Sequence, residues 1–166
     1  MGRPMSVSES VVIAADPATV YAQISDPTQT GRWSPENTGA VVEGRAGSLP
    51  VGAVFVGRNQ RFKFSWVTRC RVTVADPGER FEFCVEAIGR TKPRLKAPIA
   101  TWTYDLEPIG DSTRVTETWA DGRRKWPDGL AKVFDKLATR STFAEFNAKN
   151  MRTTLDNLKR ELESSR

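Results

Sequence analysis

The stretch ATWTYDLEPIGDSTRVTETWAD, residues 100–121, alternates apolar and polar side chains on both sides of a Gly-Asp turn, which predicts a β-hairpin. If Leu106 pairs with Val115, Tyr104 falls opposite Glu117 on the same face. The same register pairs Trp102 with Trp119, Glu107 with Arg114 and Thr103 with Thr118. Both faces of the hairpin therefore have favourable cross-strand pairs. The register also puts a carboxylate, that of Glu117, on a face of aromatic and aliphatic side chains.

A second hairpin is predicted around the turn ADPGE, residues 75–79. The alternation there pairs Val74 with Phe81, Val72 with Phe83, Cys70 with Val85 and Arg69 with Glu86. Cys70 and Cys84 then point to opposite faces of the sheet. This geometry argues against a disulfide between the two cysteines.

The segments around these hairpins predict helices at both ends of the chain and further strands between them. Residues 7–14 read as a strand, and Asp16-Pro17 then begins a helix over 17–25 because an N-cap residue precedes proline. Asp26-Pro27 begins a second, short helix. Period-two alternation predicts antiparallel strands near 39–45, 53–59, 64–74, 80–87, 100–107 and 113–120. Helical spacing returns over 129–138 and, after the capping-box sequence TFAE at 142–145, continues to residue 162.

Length and composition narrow the class of protein. A chain of 166 residues fits one domain with its own core. It contains no histidine and two cysteines, which excludes hydrolases that use a histidine base and argues against a metal site. No apolar run is long enough to span a bilayer, and the first residues lack the apolar core of a signal peptide. The sequence therefore predicts a cytoplasmic protein without metal or cofactor.

Several segments, taken in order, resemble the START-like or helix-grip superfamily, also called SRPBCC, and in particular its bacterial polyketide cyclase/dehydrase-like branch. They are DPATVYAQISDPTQTGRWSPE, GAVFVGRN, WVTRCRVTVADPGERFEF, TWTYDLEP, TRVTETW and NMRTTLDNLK. The resemblance implies an α+β helix-grip fold, in which a curved seven-stranded antiparallel sheet surrounds a long C-terminal helix and two short helices follow strand one. One domain then covers 7–163, after a flexible N-terminus over 1–6.

The same resemblance implies a deep, largely apolar cavity between the sheet and the C-terminal helix. Members of the superfamily bind lipids, hormones or polyketides there, and some catalyse cyclisation, aromatisation or dehydration. The predicted registers point the following side chains inward as candidate ligand contacts: Asn59, Trp66, Thr68, Cys70, Phe81, Phe83, Val85, Trp102, Tyr104, Glu117 and Trp119. The alternative is a filled core of the same residues. Ala144 and Ala148 on the helix favour a cavity because they are small.

Glu117 has two interpretations. As a partly desolvated carboxylate with a raised pKa, it serves as a general acid or base, with Tyr104 as a donor, or binds a hydroxyl or amine of a ligand. As a structural residue, it accepts a hydrogen bond from Tyr104 across the two strands. Burial of a carboxylate without a partner is costly, so both interpretations require one. Cys70 has no cationic neighbour to form a thiolate, which favours a packing role.

Cations collect in the loops that follow strands three, five and seven, and these loops emerge at one end of the predicted sheet. We call these residues the basic rim: Arg58, Arg61, Lys63, Arg90, Lys92, Arg94, Lys96, Arg123, Arg124 and Lys125. Such a rim favours an anionic ligand, a transient contact with an anionic membrane, or an acidic protein partner. The alternative is a set of solvated loops. No recognition helix is evident, so no nucleic acid is expected.

These observations predict a protein that binds a hydrophobic or amphipathic small molecule with an anionic group, without catalysis. One alternative is a polyketide cyclase, aromatase or dehydratase that uses Glu117 and Tyr104. Another is a protein-interaction module that uses the basic rim. The absence of histidine and of a nucleophile with an activating base weakens the enzyme hypothesis.

Overall fold

The computed structural model describes residues 2–44 and 47–165 and shows a seven-stranded antiparallel sheet curved around one long helix. The strands are β1 (Ser6–Ile13), β2 (Asn37–Val42), β3 (Val54–Arg61), β4 (Phe64–Asp76), β5 (Arg80–Gly89), β6 (Leu95–Ile109) and β7 (Ser112–Asp121). The helices are α1 (Pro17–Ile24), a 3-10 helix (Pro27–Arg32), α2 (Asp128–Thr139) and α3 (Phe143–Ser164). The strand order β1-β7-β6-β5-β4-β3-β2 confirms the predicted helix-grip fold. Residue 45, the last of the predicted strand 39–45, lies outside the described residues.

The sequence signals for helix starts act as predicted. The carboxylate of Asp16 accepts a hydrogen bond from the amide of Thr19 at 3.0 Å. The hydroxyl of Thr142 accepts from the amide of Glu145 at 3.2 Å, and the Glu145 carboxylate accepts from the amide of Thr142 at 3.3 Å. These bonds satisfy amides that a first helical turn leaves without partners. The capping box therefore fixes the start of α3, the helix that the sheet surrounds.

The hairpin of β6 and β7 has the predicted register along its whole length. Tyr104 lies opposite Glu117, and Leu106 lies opposite Val115. The alternation in the sequence was sufficient to find this register because neither strand contains a bulge in the paired region.

The hairpin of β4 and β5 keeps only the middle of its predicted register. The structure pairs Val72 with Phe83 and Cys70 with Val85 as predicted, but Val74 with Glu82, Ala75 with Phe81 and Arg69 with Ala87. Register shifts between Arg69 and Cys70 and between Val72 and Val74 account for the difference. A β-bulge adds one residue to a strand, which a strict two-residue period does not anticipate. Both cysteines are free.

Strand β6 begins at Leu95, so Lys96 lies on a strand and not in the loop where the sequence places it. Lys96 lies opposite Ala87, and the register then shifts before Ala100 pairs with Val85. Pro98 falls within the shifted segment, and a proline has no amide hydrogen to donate to a ladder bond. The proline and the neighbouring charges concealed the start of this strand.

The hydrophobic core fills the end of the sheet next to the β4–β5 and β6–β7 turns. Phe81, Leu106 and Val115 are buried there, and Val20 of α1 and Leu158 of α3 cover them. The other half of the concave face is not filled by side chains.

The segment before β1 contacts the opposite end of the molecule. Arg3 is buried and donates hydrogen bonds to Asp121 at 3.3 Å and to Asp128 at 3.1 Å. The carbonyl of Met5 accepts from the amide of Asp121 at 2.7 Å. Residues 1–6 are predicted from the sequence to be flexible, whereas these contacts tie residues 3–5 to β7 and α2; residue 1 lies outside the described residues. None of the described helices is both long and apolar enough to cross a membrane.

Candidate functional site

A cavity of about 1120 Å³ lies between the concave face of the sheet and helices α2 and α3. This volume is slightly above the range of about 300–1,000 Å³ that is typical of small-molecule sites. We call its open end the mouth; it is bordered by the β3–β4 turn, the β5–β6 loop and residues 122–126. The cavity and the mouth lie at the end of the sheet opposite the core.

Most of the candidate ligand contacts line this cavity. They are Asn59, Trp66, Thr68, Cys70, Phe83, Val85, Trp102, Tyr104, Glu117 and Trp119. Phe81 lies outside it: the side chain is fully buried in the core, with its ring edge-on to Tyr21 of α1 at 6.2 Å. Phe81 faces the concave side as predicted, but α1 covers that part of the sheet. The position of α1 over the strands cannot be read from the strand pattern.

Glu117 and Tyr104 form a hydrogen bond inside the cavity wall. The Tyr104 hydroxyl donates to Oε1 of Glu117 at 2.8 Å, as the structural interpretation of the sequence required. Oε2 of Glu117 is buried and has no hydrogen-bond partner among the described residues. Glu117 is only 3% exposed. One oxygen of this carboxyl group is therefore satisfied by the protein and the other is not.

Burial raises the pKa values of both Glu117 and Tyr104. It raises the pKa of Glu117 to about 8, although the hydrogen bond from Tyr104 acts in the opposite direction. Burial, together with the charge and the hydrogen bond of Glu117, raises the pKa of Tyr104 well above its ordinary value. At neutral pH the Glu117 carboxyl group is therefore mostly protonated. A protonated carboxyl group both accepts and donates hydrogen bonds.

A chain of polar side chains crosses the opposite wall of the cavity. Asn37 donates to Asn59 at 3.3 Å, Asn59 donates to Thr68 at 3.3 Å, and the Cys70 thiol lies 3.7 Å from the Thr68 hydroxyl. Burial raises the pKa of Cys70 to about 12. Cys70 is thus a weakly polar thiol and not a nucleophile. Asn37 joins the cavity from β2, which the sequence analysis did not include.

Helix α3 contributes polar residues that the sequence analysis missed. Asn147 and Thr154 lie on its buried face beside Met151, an apolar member of the predicted stripe, and all three line the cavity with Asn150. Their spacing of three and four residues was visible in the sequence, but only the apolar members of the stripe were interpreted as buried. The available signal was Asn147, a polar residue that lies between Ala144 and Ala148 in the sequence.

Helix α2 lies across the mouth and is held there by side chains of the rim. Arg61 donates to the carbonyl of Ala138 at 2.9 Å and forms an ion pair with Glu36 at 2.8 Å. Arg123 forms ion pairs with Asp121 and Asp135, each at 2.8 Å. Burial raises the pKa of Glu36, and the Arg61 charge opposes this effect. Arg61 and Arg123 therefore have structural roles, unlike the free rim cations that the sequence predicts.

The remaining rim cations make no ion pair within the part of the chain that the structure describes. They are Arg58, Lys63, Arg90, Lys92, Arg94, Lys96, Arg124 and Lys125. Arg124 and Lys125 also line the cavity. Their side chains are exposed around the mouth, where they generate a positive potential.

Large apolar side chains are exposed at the same mouth. We call this set the mouth patch: Phe62, Phe64, Leu95, Trp126, Phe134 and Leu137. Phe62 is 77% exposed and Leu137 is 82% exposed. A cluster of this kind, surrounded by cations, is unusual for a surface in contact only with water. Among the described residues no group of three cysteine, aspartate or glutamate side chains is placed to hold a metal ion.

Comparisons with known proteins agree with this architecture. Residues 4–163 match the family described as polyketide cyclase / dehydrase and lipid transport. A Polyketide_cyc-like protein from Corynebacterium glutamicum is 30% identical, with 99% of this chain and 95% of that chain covered and a TM-score of 0.57. A START superfamily protein from Mycobacterium smegmatis is 15% identical, with 97% and 99% covered and a TM-score of 0.69. No curated protein matches the sequence.

Proposed function

The chain belongs to the polyketide cyclase/dehydrase and lipid transport family, and from this premise we propose that it binds one amphipathic small molecule in the cavity and exchanges it with an anionic membrane surface. A hydrophobic ligand-binding role follows from the family and the fold. The observation that carries the finer proposal is the cavity of about 1120 Å³, lined by aromatic rings and open at one end.

The lining favours a ligand that is mainly apolar. Phe55, Phe83, Trp102 and Trp119 present rings or ring edges to the cavity, and such surfaces bind apolar molecules by excluding water. At about 25 cal/mol per Å² of apolar surface removed from water, a ligand of a few hundred Å² gains several kcal/mol of binding free energy. A lipid chain or a polyketide has a surface of this kind.

The polar groups inside the cavity favour an amphipathic ligand over a hydrocarbon. The Glu117 carboxyl group and the Asn37–Asn59–Thr68 chain lie on two different walls. Buried polar groups without partners are costly, so a ligand with oxygen atoms at these positions binds better than one without. The unpaired cations at the mouth favour an anionic group at the outer end of the same molecule.

The mouth patch favours a membrane over an acidic protein as the surface for exchange. The exposed side chains of Phe62 and Leu137 can insert at the boundary between head groups and acyl chains of a bilayer. The surrounding cations can bind anionic head groups. Each cation near such a surface contributes about 1 kcal/mol. An acidic protein would match the cations but would leave the mouth patch in water.

A second candidate function is proton transfer on a carbonyl compound, as in a polyketide cyclase or dehydratase. One observation favours it: burial raises the pKa of Glu117 to about 8, near the pH at which a general acid works best. Tyr104 would then orient the carboxyl group. If the ligand isolated from the protein is converted to a new product by the wild type and not by Glu117→Gln, the enzyme hypothesis replaces simple binding.

Native mass spectrometry of the protein purified from its own cells tests ligand binding. We expect a stoichiometric amphipathic molecule in the wild type and little of it in Thr154→Phe, because Thr154 is buried on the cavity side of α3. Thr153→Phe is the matched control, since Thr153 is exposed on the same helix. Equal occupancy in both variants would contradict a site in this cavity.

Sedimentation with vesicles tests the membrane contact. We expect binding to vesicles of phosphatidylglycerol and phosphatidylcholine, weakened at least about fivefold by Arg124→Glu, which reverses a charge at the mouth. Arg160→Glu makes the same charge change on α3 about 25 Å along the helix from Phe143 and serves as the control. Equal loss in both variants, or no binding to anionic vesicles, would contradict the membrane contact.

A further inference from the structure

The buried carboxyl group of Glu117 has an unused hydrogen-bonding position that faces the cavity. Oε1 accepts from the Tyr104 hydroxyl, so only Oε2 remains for a ligand. Oε2 is buried and has no partner, and it is the one buried side-chain oxygen or nitrogen in this state among the described residues. A buried polar atom without a partner costs about 1–3 kcal/mol, and a ligand group at this position removes that cost.

We propose that Glu117 binds the carbonyl oxygen of the ligand, by donating a hydrogen bond from Oε2, and that this contact selects a neutral oxygen over a carboxylate at this depth of the cavity. The inference rests on the proposed ligand binding and specifies the chemistry of the group that Glu117 meets. Tyr104 is the positioning residue, because its hydroxyl occupies Oε1 and leaves the proton for Oε2.

The donor role of Oε2 follows from the geometry of the pair. A Tyr hydroxyl that donates to Oε1 makes that oxygen an acceptor. In a protonated carboxyl group the proton then lies on Oε2, where it needs an acceptor. Burial of Glu117 favours the protonated form, so the ligand group opposite Oε2 is an acceptor and not a donor. A carboxylate there would place a negative charge in a buried apolar site without a cation.

The charged groups around Glu117 do not change this conclusion. On β1, Glu9 lies opposite Glu117 in register, but its carboxylate forms an ion pair with Arg152 of α3 at 2.7 Å. On β6, Tyr104 is neutral at physiological pH because burial raises its pKa. Among the described residues no cation pairs with the Glu117 carboxyl group, and this arrangement keeps it protonated.

The position of Glu117 separates the carbonyl contact from the mouth. Glu117 precedes Asp121, the last residue of β7, by a strand segment of about 13 Å at roughly 3.3 Å per residue. A ligand with an anionic end at the basic rim therefore carries its carbonyl oxygen well inside an otherwise apolar body. This arrangement describes an oxygenated chain, and it excludes a simple fatty acid bound with its carboxylate at Glu117.

Three probes of matched chain length test the proposal: methyl octyl ketone, decane and decanoate, each measured by displacement of a fluorescent apolar dye. The readout is the ratio of ketone to decane affinity, in which the hydration of the probes cancels between variants. We expect Glu117→Leu to lower this ratio about tenfold, the value of one hydrogen bond. Glu117→Gln keeps an oxygen that accepts from the Tyr104 hydroxyl and an amide group that donates to the ketone. We therefore expect this variant to keep the ratio.

The pH dependence gives a second readout that does not depend on the folding of Glu117→Leu. Between about pH 6 and about pH 9.5 the wild-type ratio falls, because ionisation removes the Oε2 proton, whereas the Glu117→Gln ratio stays constant. A wild-type ratio that is independent of pH, or an unchanged ratio in Glu117→Leu, overturns the proposal. If decane binds but the ketone has no advantage, only this inference falls. If no probe binds the wild type, the proposed ligand binding falls with it.

Discussion

The Arg123 guanidinium donates to Oδ1 of Asp135 at 2.8 Å, and this ion pair holds α2 across the mouth of the cavity. Asp135 is 3% exposed, and its Oδ2 also accepts from the amide of Phe143 at 3.2 Å. One carboxylate thus joins the rim, α2 and the start of α3. The loss of one partner of a buried ion pair is strongly destabilising because it leaves a charge without compensation.

We therefore predict that Asp135→Ala loosens α2 locally by about 3 kcal/mol. Hydrogen exchange of the α2 amides should accelerate by about a hundredfold, while exchange in the core strands changes little. Asp128→Ala is the control on the same helix, because Asp128 is half-exposed and its ion pair with Arg3 contributes less than about 1 kcal/mol. Equal acceleration in the two variants would show that α2 is not held by Asp135.

Acid should loosen the same helix. Burial alone would raise the pKa of Asp121, but its hydrogen bonds with Arg123 and the charges of Arg123 and Arg3 lower it below the ordinary value of 3.8. A carboxylate with a lowered pKa stabilises the fold above its unfolded pKa, and this stabilisation is lost as the pH falls through the lower folded value. Amide protection in α2, corrected for intrinsic rates, should decrease below about pH 4. In Asp121→Asn this acid-induced step should be absent.

Glu117 should produce the opposite pH dependence at higher pH. Because its folded pKa of about 8 exceeds the ordinary 4.5, its contribution to stability is complete below pH 4.5 and is lost as the pH rises through 8. Urea unfolding should show wild-type stability falling by up to about 1.4 kcal/mol per pH unit in this window. Glu117→Gln removes the titration and should be the more stable protein above the window. An identical pH profile in both proteins would mean that Glu117 is ionised when folded.

Phe62 combines an unfavourable backbone with an exposed ring, which suggests a role other than folding. Its φ of 53° lies in the left-handed region, where asparagine is favoured over an aromatic residue, and its ring is 77% exposed. Phe62→Asn should therefore keep or slightly increase the unfolding free energy, by less than about 1 kcal/mol, and weaken vesicle binding. Val51→Ser, an exposed apolar residue outside the mouth, is the control. A variant that binds vesicles as the wild type does would remove Phe62 from the membrane contact.

Strand pairing could be predicted where the two-residue period is unbroken. The register of β6 and β7, and with it the contact between Tyr104 and Glu117, followed from the residues alone. The same reasoning failed at both ends of the β4–β5 pairing because bulges between Arg69 and Cys70 and after Val72 shift the register. A bulge adds a residue that the alternation of apolar and polar side chains does not mark, so the two-residue period does not locate it.

The cavity lining was predictable for the sheet and not for the helices. Asn147 and Thr154 were missed because a polar residue on a helix usually faces water. Arg61 and Arg123 were included in an unpaired rim because their partners, Glu36 and Asp135, are distant in the sequence. Phe81 was included in the lining because the position of α1 depends on tertiary packing. Long-range contacts of this kind decide which inward residues face the cavity.

We propose above that a single amphipathic molecule occupies the cavity between the sheet and α3. Titration with anilinonaphthalene sulfonate, an apolar anionic dye, tests it in wild type, Thr154→Phe and Thr153→Phe. Saturable binding of one dye by the wild type and by Thr153→Phe, weakened at least about tenfold in Thr154→Phe, is the predicted result because only Thr154 faces the cavity. Equal affinity in all three proteins, or binding that does not saturate, would contradict the claim.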